Sequence, residues 1–311
     1  MSAAHDVITI DCQYLGPDHA AAYLITANGR ALFVDNNTSN ATPLLLAALE
    51  EQGLTPEHVD YAIITHLHLD HAAGTASLLR ECPNARVLCH PRAERHLVDP
   101  SRLVAGVKQV YGEELFTKLY GTVEAVAAER VQPVADGETL PFGDRTLTFL
   151  HTRGHANHHI AIHDSASNGV FTGDTFGVSF PAMREQGTPF LQCSCPPSEF
   201  DPEESRRTVR RILDTGADRA YLSHFGMFEA VKEGADQLLE SIDRMEAVLD
   251  KAVATGLEGD ALEAFCHREV VETVKAHAGQ CGLSPESVET LAADMNLNGK
   301  GIAYAARRRK R

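Results

Sequence analysis

"THLHLDHAAGT", residues 65–75, sets three histidines and an aspartate within six positions: His66, His68, Asp70 and His71. At this chain's own His and Asp frequencies, H-x-H-x-D-H would arise by accident in roughly one such sequence in several hundred. Imidazole nitrogen and carboxylate oxygen together are the donors that zinc, iron and manganese accept. The run leading into them, "VDYAIITH" (59–66), is apolar and β-branched and reads as a buried strand that stops at the donors.

Outward from that turn, "AAGTASLLREC" resumes helical spacing and "ARVLCHP" is the next strand. Upstream, "VITIDCQY" and "AAYLITANGRALFVDNN" read as strands, the second folded into a hairpin at Asn28-Gly29. "TPLLLAALEEQG" has a helical pattern closed by Gly53. Residues 92–130 read mainly as helix, after which strands resume at "RTLTFLHT", "HIAIHD" and "GVFTGDT". "DPEESRRTVRRILDTG" carries acidic residues early, basic ones late and Gly at its end, the marks of a helix. "ADRAYLSHFG" is a further strand and turn, and from residue 229 onward the pattern is helical. The alternation predicts helices covering sheets over 1–228, with 229–311 a helical extension packed on that core.

Three later strand ends supply more donors. "HTRGHANHH" offers His151, His155, His158 and His159, "FTGDTF" offers Asp174, and "YLSHFG" offers His224. Singly, Asp174 is as well read as a turn residue and His224 as an edge histidine. Their shared position, where an apolar run stops, is where such folds place chemistry.

Composition narrows the partners. A net charge of −15 opposes a nucleic-acid partner, since phosphate binding needs a basic surface. The basic run "RRRKR" (307–311) reads as a solvated end. No apolar stretch approaches the ~18 residues of a membrane span, so no membrane contact is expected. "MSAAHDVITIDCQ" lacks a basic stretch followed by an apolar one, and the seven cysteines include no C-x-x-C. Cys193 and Cys195 in "QCSCPP" read as ordinary reduced thiols, and the expected compartment is the cytoplasm.

The ordered set H-x-H-x-D-H, G-H, G-D and S-H, over roughly residues 7–228, resembles the metallo-β-lactamase fold superfamily. The likeness is to its hydrolase branch, related to glyoxalase II and the acyl-homoserine lactonases. It implies an α+β, four-layer αββα sandwich with a helical insertion at about 92–130 and a helical C-terminal extension. By motif, His66, His68 and His155 would hold one metal ion, Asp70, His71 and His224 a second, and Asp174 would bridge them. His159 would match a histidine on the substrate side, and His158 stands where the family commonly has Gly, narrowing the groove. Asp35, ending "ALFVD", would orient a ligand histidine from behind.

The resemblance implies two divalent ions, zinc first, with iron or manganese acceptable. It further implies hydrolysis of a small acyl substrate (a thioester, lactone or other ester) by a metal-bridging hydroxide, with Asp70 moving the leaving group's proton. His68 stands where the flavodiiron oxidoreductases carry Glu, and Asp174 where many secreted zinc β-lactamases carry Cys. The alternatives are a one-iron oxidoreductase like the sulfur dioxygenases, or a catalytically silent ligand-binding member. The layout is also similar to the thioesterase-like branch of bacterial quinolone signalling, where a C-terminal segment closes over the site. By that likeness "DMNLNGKGIAYA" (294–305) would line the pocket, with Asn296 and Asn298 as polar contacts; otherwise it is a helix end closed by Gly299. Tyr111, Phe116 and Tyr120 read first as packing residues of the insertion. Apolar faces on the C-terminal helices are compatible with a homodimer.

Overall fold

The strand that delivers the donor turn is β4 (Val59–Ile63), and its place is set by parallel neighbours on both sides. A strand flanked in this way is buried on both faces, which is why it reads as an almost unbroken apolar run. The computed structural model describes residues 7–184 and 190–309. The side chain of Tyr111 and the end of the basic run, Lys310 and Arg311, lie outside the described residues.

The first sheet runs β1 (Val7–Asp11), β2 (Ala21–Ala27), β3 (Arg30–Val34), β4, β5 (Arg86–Cys89) and β6 (Val131–Pro133), in that spatial order. Its first three strands are antiparallel, and the rest pair parallel. The β2–β3 turn needs left-handed backbone at Asn28 and Gly29, with φ of 49° and 73°. The second sheet has the order β12 (Gly226–Phe228), β11 (Arg219–Leu222), β10 (Gly169–Gly173), β9 (Ile160–Asp164), β8 (Arg145–His151), β7 (Thr139–Phe142).

Contacts divide the described residues into two compact units. One is built from the chain up to His151, with His158–Gly173 and Ser223–Met227. In it, helices α1 (Thr42–Glu51) and α3 (Thr75–Glu81) lay Leu45, Leu49, Leu78 and Leu79 on Leu24, Phe33, Ala62 and Val87 of the first sheet. Tyr23 of β2 meets Phe171 of β10 edge-on at 5.2 Å between ring centroids, joining the two sheets. The donor turn contains a single helical turn, α2 (Leu69–Ala72), and the insertion forms α4 (Glu94–Val98), α5 (Ser101–Tyr111) and α6 (Glu113–Tyr120). Phe116 and Tyr120 are buried beside Leu69 and Ala73, as packing residues should be.

The other unit comprises Thr152–Asn157, Asp174–Leu222 and the chain from Phe228. It contains α7 (Pro202–Asp214), capped by the Asp201 carboxylate on the Glu204 N–H, and α8 (Val231–Thr255), α9 (Gly259–Gln280), α10 (Pro285–Glu289) and α11 (Ala292–Arg309). Here two expectations are corrected. Gly299 does not close a helix: α11 runs unbroken through it. A Cβ there would lie 2.8 Å from His267 Cα of α9, so the glycine serves close helix packing. Asn298 is not a polar contact for a ligand. It is buried, its amide donates to the Cys193 carbonyl at 2.8 Å, and its Oδ1 accepts from the Cys195 N–H at 2.7 Å. Cys193 and Cys195 are buried free thiols 3.8 Å apart. Leu238 of α8, Val270 of α9 and Ile302 of α11 are likewise buried. No helix among the described residues is long and apolar enough to cross a membrane.

Candidate metal centre

The donor turn is held by the loop that follows β3. Asp35 sits in left-handed backbone, φ 55°, and is buried. Its carboxylate accepts from the Thr65 N–H at 2.8 Å, the Thr65 hydroxyl at 3.0 Å, His71 Nδ1 at 2.8 Å and the Ser223 hydroxyl at 2.9 Å. Asn37 donates to the Asp70 carbonyl at 2.8 Å, and the Asn36 N–H to the His71 carbonyl at 3.0 Å. Gly74 ends the turn where only Gly fits, since a Cβ would lie 2.6 Å from the Thr38 carbonyl oxygen. Thus "DNNT" and "THLHLDH" form one stitched frame.

On that frame the donors fall into two sets, each with ligand atoms within 4.8 Å of one another. One is His66, His68, His155 and Asp174; the other is Asp70, His71 and His224. His66 Nε2 and His68 Nδ1 are 2.9 Å apart, and His155 Nε2 is 3.4 Å from Asp174 Oδ2. Asp70 Oδ2 lies 3.7 Å from His71 Nε2 and 3.5 Å from His224 Nε2. Nitrogen ligands around one tetrahedral zinc stand about 3.3 Å apart, so these spacings suit a shared cation. Two of the far ring nitrogens are engaged as a metal site requires: His71 Nδ1 on Asp35, and His224 Nδ1 on the His19 carbonyl at 2.8 Å. The chemistry and spacing of the donors therefore fit divalent metal ions.

The remaining histidines have other places. His159 is fully buried and stacks on His66 at 4.8 Å between centroids. Gly173 makes room for it: a Cβ there would lie 2.4 Å from His159 Nε2. The Nδ1 of half-buried His158 accepts from the Leu67 N–H at 3.3 Å. His151 bonds the Val134 carbonyl at 3.0 Å and packs on His90, in neither donor set. Asn296 is exposed on α11.

Sequence reasoning missed Thr65, Ser223, Asn37 and His19. The His19 ring stands edge-on to His224 at 5.8 Å, and burial together with His224 pushes its imidazole down to about 4. Only the adjacency of Thr65 and Ser223 to the donor histidines His66 and His224 could have drawn attention to those two.

A family model described as the metallo-beta-lactamase superfamily matches residues 15–224. An archaeal metallo-beta-lactamase fold-containing protein from Sulfurisphaera tokodaii is 25% identical over 56% of this chain and 63% of its own length. A solved archaeal superfamily structure from Sulfolobus tokodaii superposes with a TM-score of 0.65 at 19% identity, over 96% of this chain and 98% of that one. An atrochrysone carboxyl ACP thioesterase from Aspergillus fumigatus is 23% identical over 81% of this chain and 67% of its own. A hydroxyacylglutathione hydrolase from Cereibacter sphaeroides is 28% identical over 59% of this chain and 57% of its own. The chain thus spans less than two thirds of the length of several curated relatives it matches.

Proposed function

The chain belongs to the metallo-beta-lactamase superfamily, and on that premise we propose that it is a dinuclear metal-dependent hydrolase of a small acyl substrate, a thioester before a lactone or other ester. One observation carries the reading: seven His and Asp donors gather into two compact sets. The thioesterase and the hydroxyacylglutathione hydrolase among its relatives support the preference for a thioester.

In this reading His66, His68 and His155 hold one ion, Asp70, His71 and His224 the other, and Asp174 is shared. Zinc suits the set best, with iron or manganese acceptable. When bound, divalent ions ionise water near neutral pH and polarise an acyl carbonyl. The chain's own residues do the rest. Asp35 fixes His71 with Nδ1 protonated, so that Nε2 points its lone pair at the site. The His19 carbonyl does the same for His224. Asp70 carries a proton to the departing group, for which its position beside both Nε2 atoms suits it. His159, closed in between His66 and Gly173, holds the His66 ring against rotation.

The experiment is turnover of S-acetyl- and S-octanoyl-N-acetylcysteamine and of a simple lactone, before and after chelation. Thioester hydrolysis that stops on chelation and returns with zinc is expected. Oxygen uptake on a persulfide without hydrolysis would replace this reading with the one-iron oxidoreductase. Tight binding of these acyl compounds with no turnover would make the chain a silent member of the fold.

A further inference from the structure

The insertion leaves an apolar surface half covered. None of the described α5 residues is fully buried, yet its apolar side chains Leu103, Val104 and Val107 pack with Tyr14, Leu119 and Val123 around Leu69, Phe116 and Tyr120. A helix pair of this kind ordinarily buries such a stripe. Leu15, beside Tyr14, is 57% exposed, the most exposed large hydrophobic residue described. Tyr14 stacks on Tyr120 at 6.2 Å and stands 6.2 Å from His19, whose ring faces the ligand His224.

This cluster adjoins the donor turn through Leu69. Leu69 lies between His68 and Asp70 in the chain, and it belongs to the same apolar cluster. A cavity of ≈ 20 Å³ opens there, lined by Leu67, Leu69, Leu97, Leu103, Val123 and Val126 among others. That volume takes the end of a hydrocarbon chain and is too small for a ring, as one water-sized probe needs about 10–15 Å³. An occupant with a carbonyl at the donors and a linear tail on α5 and α6 would cover what is now exposed.

We propose that the substrate's acyl group is a linear, medium-length hydrocarbon chain seated on Tyr14, Leu103 and Val107, its end in the cavity beside Leu67 and Leu69. The inference rests on the hydrolase reading for the carbonyl's position. Burying one methylene is worth about fourfold in an equilibrium constant. Three buried methylenes then give about a 60-fold preference for octanoyl over acetyl.

The test uses the metal-loaded full chain, with Tyr14→Ala and Leu103→Ser made separately and their thermal unfolding recorded. The ratio of kcat/KM for S-octanoyl- to S-acetyl-N-acetylcysteamine should exceed about 50 in the parent and fall at least tenfold in each variant, through KM. Octanoate and acetate binding is measured by calorimetry in parallel, so that the surface is tested even without turnover. Preferential octanoate binding lost in the variants, with no hydrolysis, would uphold the acyl surface and reject the hydrolase reading. Equal handling of octanoyl and acetyl by the parent would overturn the proposal, as would parent-like ratios in two folded variants. Sedimentation showing a parent dimer that Leu103→Ser dissociates, with selectivity unchanged, would assign the surface to a second copy instead.

Discussion

Replacing Asp174 by alanine is expected to lower kcat/KM on a thioester by at least about a thousandfold, about 4 kcal/mol of transition-state stabilisation. Asp174 is the carboxylate in a donor set otherwise made of three imidazoles, and it is buried beside His155. Without it, that set keeps no negative charge, and the proposed sharing of one ligand between two ions is lost. The loss should appear in kcat and in metal content together, while far-ultraviolet circular dichroism stays that of the parent. A folded Asp174→Ala protein with parental turnover would show that this carboxylate is not a metal ligand.

Asp35→Asn should cost about 10–100-fold in activity although Asp35 touches neither donor set's metal-facing atoms. The physical reason is a conflict of donors. The Thr65 N–H requires an acceptor, which keeps the oxygen of the substituted amide on that side and turns its NH₂ toward His71 Nδ1 and Ser223. His71 Nδ1 must then become the acceptor, so the ring proton moves to Nε2, the atom facing Asp70. A protonated Nε2 has no lone pair for a cation. Each buried donor left without a partner costs about 1–3 kcal/mol, so unfolding should shift as well. Metal analysis separates the two effects: the folded variant should bind the second ion more weakly and retain the first. Equal retention of both would mean that Asp35 stabilises the loop and nothing more.

What the sequence disclosed follows from the range of each interaction. "VDYAIITH", "ALFVD" and the Asn28-Gly29 turn were legible because strand patterning and hairpin chemistry are local. The seven donors were legible because they fall in four short stretches, each following an apolar run. Strands β6, β7 and β12 span only three or four residues and include Pro133, Pro141 and Gly226, residue types that argue against a strand. The frame behind the donors was hidden for another reason. Ser223 reaches Asp35 across 188 positions and Asn298 reaches Cys195 across 103, and no window of sequence contains both partners. Gly299 shows local grammar overruled, since glycine there answers to His267 of a neighbouring helix and not to the end of its own.

The most direct measurement is metal content by mass spectrometry on protein purified without added metal and then equilibrated with zinc. Two ions per chain are expected, falling to one when His224 is replaced by alanine, because His224 belongs only to the three-donor set. Failure to bind any ion, or a single ion unaffected by loss of His224, would contradict the two-ion reading.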